Sequence, residues 1–248
     1  MQEKQKVVVV MPAYNAVKTL ESTYNDIPKE SVDEIILVDD ASHDETAKAA
    51  KSLGLKVFIH PENRGYGGNQ KTCYTEALKE NADIIVMLHP DYQYDPKLIP
   101  EIIKPITEGK ADLVLASRMA NSSALNGGMP VYKYLANKFL TAIENFILNQ
   151  SLSEFHTGYR AYSKKLLKTI PFMLNSDNFV FDTEIIVQTV MMKFKIAEIS
   201  CPTRYLKNSS SINFKNSLVY GFQTLLALSK FILHKTGLKK FKFFSPTN

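Results

Sequence analysis

The chain has 248 residues, 45% apolar, 22% charged and 10% aromatic, a composition that excludes a disordered tail, a collagen or a coiled coil and allows a sizeable core. Its two cysteines, Cys73 and Cys201, stand in no CxxC or Cys/His pattern, which argues against a disulfide framework or a structural zinc and for a reducing compartment. Net charge is +5 but uneven: after Glu198 come Arg204 and seven lysines with no Asp or Glu, so that stretch carries +8 and the first 198 residues −3.

The opening segment MQEKQKVVVVMPAYN has a five-residue apolar run and no small-residue cleavage site, so it does not read as a secretory signal. Short Val/Ile/Leu-rich runs then recur: KVVVVM (6–11), DEIILVD (33–39), KVFIH (56–60), DIIVMLH (83–89) and ADLVLAS (111–117). Segments of helical spacing lie between them, and Asp95 before Pro96 predicts an N-cap with proline at the first helical position. Strands that are apolar throughout, alternating with helices, predict a parallel sheet covered on both faces.

After Arg118 the spacing predicts a helix over 131–150, a strand over 195–200 and a helix over 216–234. The last places Leu218, Phe222, Leu225, Leu226, Ser229, Ile232 and Leu233 on one side, a stripe suited equally to a core or to a membrane surface. The 17-residue greasy stretch from Leu218 to His234 contains Gln223 and Lys230 and falls short of a span, so it reads as lying on something and not crossing it. The expected organisation is a catalytic unit over 1–215, with a nucleotide-binding half (1–118) and an acceptor half (119–215), followed by a basic amphipathic helix and tail over 216–248.

Polar residues gather at the carboxyl ends of the predicted strands, where open parallel sheets bind ligands. Strand one ends in Pro12, Ala13, Tyr14 and Asn15, and strand two in Asp39 and Asp40, two carboxylates where a helix cap needs one. Strand three is followed by Asn63, Arg64 and GYGG, a short glycine turn (Gly67, Gly68) whose N–H groups could approach a phosphate, without the spacing of a P-loop. At the end of strand four, alternation would put His89, Asp91 and Gln93 on one face. That mixed set of low charge suits Mg²⁺ or Mn²⁺ shared with a diphosphate, and the alternative is a capping turn with a surface histidine.

In order, VVVVMPAYN, EIILVDDASHDET, NRGYGG, VMLHPDYQYDP, LASR, HTGYRAYSKK and FVFDTEI resemble the family-2 glycosyltransferases. Within that family they are similar to the dolichyl- or polyprenyl-phosphate sugar synthases. The resemblance is strong over 6–118 and less specific to about 220. It implies an α/β, Rossmann-like glycosyltransferase A fold with a mostly parallel central sheet. It further implies an inverting, metal-assisted transfer of a hexose from a UDP- or GDP-linked sugar. Carried over position by position, it gives Pro12, Tyr14 and Asn15 to the first nucleotide loop and Asp39 with Asp40 to the base and ribose. His89, Pro90 and Asp91 take the place of an Asp-x-Asp metal motif whose first Asp is His here, and Gln93 matches a glutamine on the metal side. Arg160 in HTGYRAY falls near the acceptor. With Arg118 and Arg204 it could hold phosphate through forked donors. Asp182 and Glu184 are the close carboxylate pair of the second half, at a helical spacing that does not share a face, and which of them serves as a base is open.

A lipid phosphate is already anionic at pH 7 and needs positioning more than a base, whereas a hydroxyl acceptor needs a general base. The basic, apolar C-terminal fifth favours a polyprenyl phosphate, reached peripherally from the cytoplasmic face of the membrane. A growing surface glycan is the alternative acceptor, and a nucleotide-binding module without turnover the alternative class. Nucleic acid is not expected as a partner, because the body is acidic and stacking or groove-reading patterns are missing.

Overall fold

The computed structural model describes residues 4–120, 123–202 and 214–247. Its centre is a seven-stranded sheet in the order β3-β2-β1-β4-β6-β5-β7. The strands are β1 (Val7–Ala13), β2 (Glu34–Asp39), β3 (Lys56–Ile59), β4 (Ile84–Met87), β5 (Leu113–Ser117), β6 (Arg160–Ser163) and β7 (Ile196–Ser200). Pairing is parallel throughout except at β6, which runs antiparallel to both β4 and β5. The mostly parallel α/β sheet is therefore as expected, and β6 is an addition. Its four residues, RAYS, are too short and too polar at their edges to register as an apolar run.

Every residue of β1 is buried, and its side chains alternate between two cores. Val8 and Val10 join Ile36, Val38 and Phe181 on one face of the sheet. Val7, Val9 and Met11 join Leu37, Leu20 and Ile102 on the other. That is why the strand reads as apolar without interruption: a strand covered on both faces has no solvent side.

The helices are α1 (Val17–Asn25), α2 (Thr46–Ser52), α3 (Gly65–Lys79), α4 (Ile99–Thr107), α5 (Ser123–Asn126), α6 (Val131–Leu148), α7 (Lys164–Thr169), α8 (Phe181–Met191) and α9 (Phe214–Lys235). Asp95 caps a short 3-10 turn ahead of α4 as expected, its carboxylate accepting from Lys97 N at 3.1 Å with Pro96 at the first position.

GYGG forms the first turn of α3 and not a free turn. A Cβ on Gly67 would stand 2.4 Å from Ser176 O and 2.8 Å from Phe181 Cβ, and Gly67 N donates to Asp177 O at 2.8 Å. These glycines let the segment before α8 lie against α3, and their N–H groups already have a carbonyl partner. The phosphate role expected of Gly67 and Gly68 is corrected accordingly.

Candidate active site

Chain order reverses at β1, which pairs with β2 on one side and β4 on the other. A cleft of about 650 Å³ opens at the carboxyl ends of these strands. This is where doubly wound sheets hold their ligands, because the loops diverge there.

Its sheet-side wall carries Pro12, Tyr14, Asn15, Asp40, His89, Asp91 and Gln93 from the expected set. Asn15 has φ +52°; its N donates to Ser42 Oγ at 2.8 Å and its Oδ1 accepts from His43 N at 2.9 Å, so the first loop is tied to the end of β2. Asp40 accepts from Arg64 N at 2.8 Å and Gly65 N at 3.1 Å, and pairs with His60 Nδ1 at 2.7 Å. It therefore holds the start of α3 against the sheet while lining the cleft. Asp39 turns away, its carboxylate taken by Ser42 N and Oγ, and neither it nor Arg64 lines the cleft.

His89, Asp91 and Gln93 reach the cleft by a different route from the one expected. β4 stops at Met87, and Pro90, which has no N–H to give a ladder, keeps the chain from continuing as a strand. Instead Gln93 N donates to Asp91 Oδ1 at 3.1 Å across Tyr92, which sits at φ +57°, and Thr19 Oγ1 donates to Pro90 O at 2.6 Å. The turn presents all three side chains to the same cavity.

The histidine is held from behind. Tyr66 stacks on His89 with ring centroids 5.5 Å apart, and a Cβ on Gly158 would approach the imidazole to 2.9 Å. The Tyr66 hydroxyl donates to Asp182 Oδ2 at 2.7 Å and stands 3.3 Å from His89 Nε2. With its one proton spent on Asp182, the hydroxyl can only accept from the ring, which places the imidazole proton on Nε2 and the lone pair on Nδ1. Burial lowers the His89 pKa, against the pull of Asp91 and Asp182, and keeps the ring neutral, the form that ligates a cation.

The opposite wall comes from the second half of the chain. Arg118 lines the cleft, its Nε donating to Glu154 Oε1 at 2.9 Å and an Nη2 to His156 O at 3.0 Å. Asn137 of α6 donates to the same carboxylate oxygen at 2.8 Å. Burial pushes the Glu154 carboxyl up, but the charge and hydrogen bonds of Arg118 together with Asn137 outweigh it and hold it below the usual range. Lys133 shares this wall, its pKa lowered by burial and by Arg118.

Arg160 is placed otherwise than expected. It is fully buried, its guanidinium donating to the carbonyls of Thr157 (2.7 Å), Asp182 (3.0 Å) and Phe155 (3.0 Å) and lying 3.6 Å from the Asp182 carboxylate. It positions Asp182 and the 155–158 loop and presents nothing to an acceptor. Asp182 lines the cleft. Glu184 does not; it accepts from Ser176 N at 2.6 Å, and burial raises its pKa. The pair thus splits as the helical spacing required. Arg204 lies outside the described residues.

Sequence reading missed Tyr66, His156 and Tyr220. His156 Nδ1 pairs with the Tyr220 hydroxyl at 2.7 Å, and its Nε2 lies 3.1 Å from the buried Glu144. Tyr66 sat inside a quoted motif but was passed over for its glycines. His156 opens the quoted HTGYRAYSKK, but its partners Glu144 and Tyr220 come from separate segments and leave no local signal.

The profile of Glycosyl transferase family 2 matches residues 8–171. The chain belongs to glycosyl transferase family 2. This family-2 glycosyltransferase is 31% identical over 225 residues to an uncharacterized protein of Methanocaldococcus jannaschii, covering 91% of each chain. It is 29% identical over 220 residues to the UDP-N-acetylglucosamine–dolichyl-phosphate N-acetylglucosaminyltransferase of Methanococcus voltae, covering 82% of this chain and 87% of that one. Among solved structures, it is similar to the Mycobacterium tuberculosis glucosyl-3-phosphoglycerate synthase in complex with Mn²⁺, UDP-glucose and phosphoglyceric acid. The TM-score is 0.69 at 20% identity, over 94% of this chain and 80% of that one, a likeness of fold. The fold is glycosyltransferase A.

Proposed function

We propose that this glycosyltransferase moves a hexose from a nucleoside-diphosphate sugar to a polyprenyl phosphate, with inversion and with Mg²⁺ or Mn²⁺. The observation that carries the acceptor is the composition of the far wall of the cleft: Arg118 and Lys133 stand beside the apolar Leu140 and Leu218. Cations next to alkyl side chains are the chemistry a phosphate on a hydrocarbon requires. The M. voltae relative, named for a dolichyl-phosphate acceptor, supports the same reading.

On the donor side, Tyr14, Asn15 and Asp40 would receive the nucleoside and His89, Asp91 and Gln93 the metal, all of them lining the one cleft. Their donor set fits such an ion: one carboxylate, one neutral imidazole nitrogen and one amide oxygen. Among the described residues no group of three His, Cys, Asp or Glu side chains could hold a metal, so an ion here would be shared with the diphosphate and completed by water. A bound divalent ion would neutralise charge developing on the leaving diphosphate. Arg118, oriented by Glu154, would hold the acceptor phosphate so that its anionic oxygen attacks the anomeric carbon without a base. A sugar hydroxyl is the second reading, favoured by the Asp182 carboxylate at the cleft. It requires that carboxylate to take a proton although Tyr66, Gln70 and Arg160 already engage it.

Thermal unfolding with UDP-, GDP-, CDP- and dTDP-sugars tests the donor side. One nucleotide at about 100 times its Kd adds about 2.7 kcal/mol, a rise in Tm of roughly 5–10 °C, and it should require Mg²⁺ or Mn²⁺. No rise with any nucleotide, or the same rise in chelator, contradicts the proposed site.

A further inference from the structure

α6 is amphipathic in the wrong sense for a helix facing water. Its buried positions include Asn137, Thr141 and Glu144, while its exposed positions are Val131, Tyr132, Leu135, Ala136, Phe139, Ala142 and Phe146, none of them charged, with Val131, Leu135, Phe139, Ala142 and Phe146 recurring at helical spacing. The polar side is used inside the protein: Asn137 bonds Glu154 at 2.8 Å, Thr141 donates to Asn137 Oδ1 at 3.2 Å, and Glu144 faces His156. The apolar side has no such use, and Phe139 and Phe146 are 66% and 89% exposed.

α9 repeats the pattern. Its core-facing residues are Thr224, Ala227, Leu228 and Phe231, and of the expected stripe Leu218, Phe222, Leu225, Leu226, Ser229 and Ile232 are exposed while Leu233 is half-buried. That settles which way the stripe points: outward. The two helices touch, with a Cβ on Gly221 of α9 coming to 3.8 Å from Leu140 Cδ1 of α6. At their shared end the exposed Tyr132 and Leu218 also line the cleft. Two adjacent helices with unpartnered apolar faces exceed the scattered exposure of an ordinary surface.

The charges around these faces select what covers them. Glu144, the single acid of α6, is fully buried, and the sequence has no Asp or Glu after Glu198. Lys138 lies on α6, Lys230 and Lys235 on α9 and Lys239 just beyond it, each with its ammonium over an aromatic ring. A second copy would set lysines against lysines. No helix among the described residues is long and apolar enough to cross a membrane. Apolar outer faces on helices that carry lysines and no accessible acid match an interface whose surface is negative and whose interior is hydrocarbon.

We propose that the adjoining outer faces of α6 and α9 dock the enzyme on an anionic lipid bilayer, with the mouth of the cleft at the headgroups. The use of this surface rests on the reading of a lipid-phosphate acceptor; the binding itself does not. The docked orientation would bring Arg118 and Lys133 to the depth at which a lipid phosphate lies.

The test is flotation of the full chain with phosphatidylcholine vesicles, with and without phosphatidylglycerol and with no polyprenyl phosphate. The chain should float with the anionic vesicles and be released by high salt. Phe139→Glu with Phe222→Glu should weaken binding at least about tenfold while leaving thermal stability and the nucleotide-induced rise in Tm unchanged. Phe146→Glu alone, at the most exposed position, should weaken it in the same direction. Failure of the wild type to float, or equal flotation of these variants, overturns the proposal. So does a dimer in light scattering that the same substitutions dissociate, since the face then belongs to a second copy. Flotation without sugar transfer to any lipid phosphate would refute the acceptor reading alone. Transfer to a detergent-solubilised lipid phosphate without flotation would refute the docking surface alone.

Discussion

Asp91→Asn is expected to lower turnover by about 10²–10³-fold while leaving the fold intact. Asparagine keeps an oxygen at Oδ1, so Gln93 N retains its partner and the 89–93 turn keeps its shape. What is lost is the single negative charge of the 89–93 segment beside a neutral His89. An ion bound by His89 and Gln93 alone would have no anionic protein ligand, and the leaving diphosphate would lose its stabilisation in the transition state. Release of nucleoside diphosphate at saturating metal, measured beside a thermal melt, checks this. Turnover within a fewfold of wild type would remove Asp91 from the site.

Arg160→Met is expected to act on stability. The guanidinium is fully buried, satisfies three carbonyls and faces Asp182. Removing it strands those oxygens and leaves a buried carboxylate without its cation, a loss of about 3–5 kcal/mol, or roughly 10 °C in Tm for a chain of this size. Arg160→Lys should rescue little, since one ammonium cannot span the carbonyls of residues 155, 157 and 182. Asp182→Asn in the Arg160→Met background should recover part of the loss, because the two act as one unit. An unchanged Tm with a raised KM for the acceptor would instead restore the phosphate-binding role that the residue type suggested.

Arg160 illustrates what a sequence conveys and what it withholds. Arginine after a glycine-aromatic pair is chemically right for phosphate, and only the pairing of β6 between β4 and β5 reveals that it points into the core. β1, β4 and β5 were legible because burial on both faces leaves no polar alternation to confuse, whereas the edge strand β3, with Lys56 and Ile59 exposed, was legible only as a short apolar run. Residues 12–15 and 89–93 were legible because polar groups immediately following buried strands have one place to go. The alternation argument nonetheless reached the right cleft for His89, Asp91 and Gln93 by the wrong geometry, a turn in place of a strand. Gly67 and Gly68 were misread because a glycine needed for close packing and one needed for a phosphate look alike in sequence. The inverted face of α6 was hidden for a related reason. Its spacing is plainly helical, but which side faces water is a property of its neighbours, and its polar side is claimed by Glu154 and His156 from the following loop.

The most direct test of the central claim is to incubate the enzyme with the nucleotide sugar that raises its Tm, a divalent metal and a short polyprenyl phosphate, then identify the products by mass spectrometry. The account predicts a polyprenyl-phosphate sugar and an equal amount of nucleoside diphosphate, both requiring the metal and the lipid phosphate, with no transfer when a polyprenol replaces it. Transfer to a sugar hydroxyl with the lipid phosphate left untouched would contradict it.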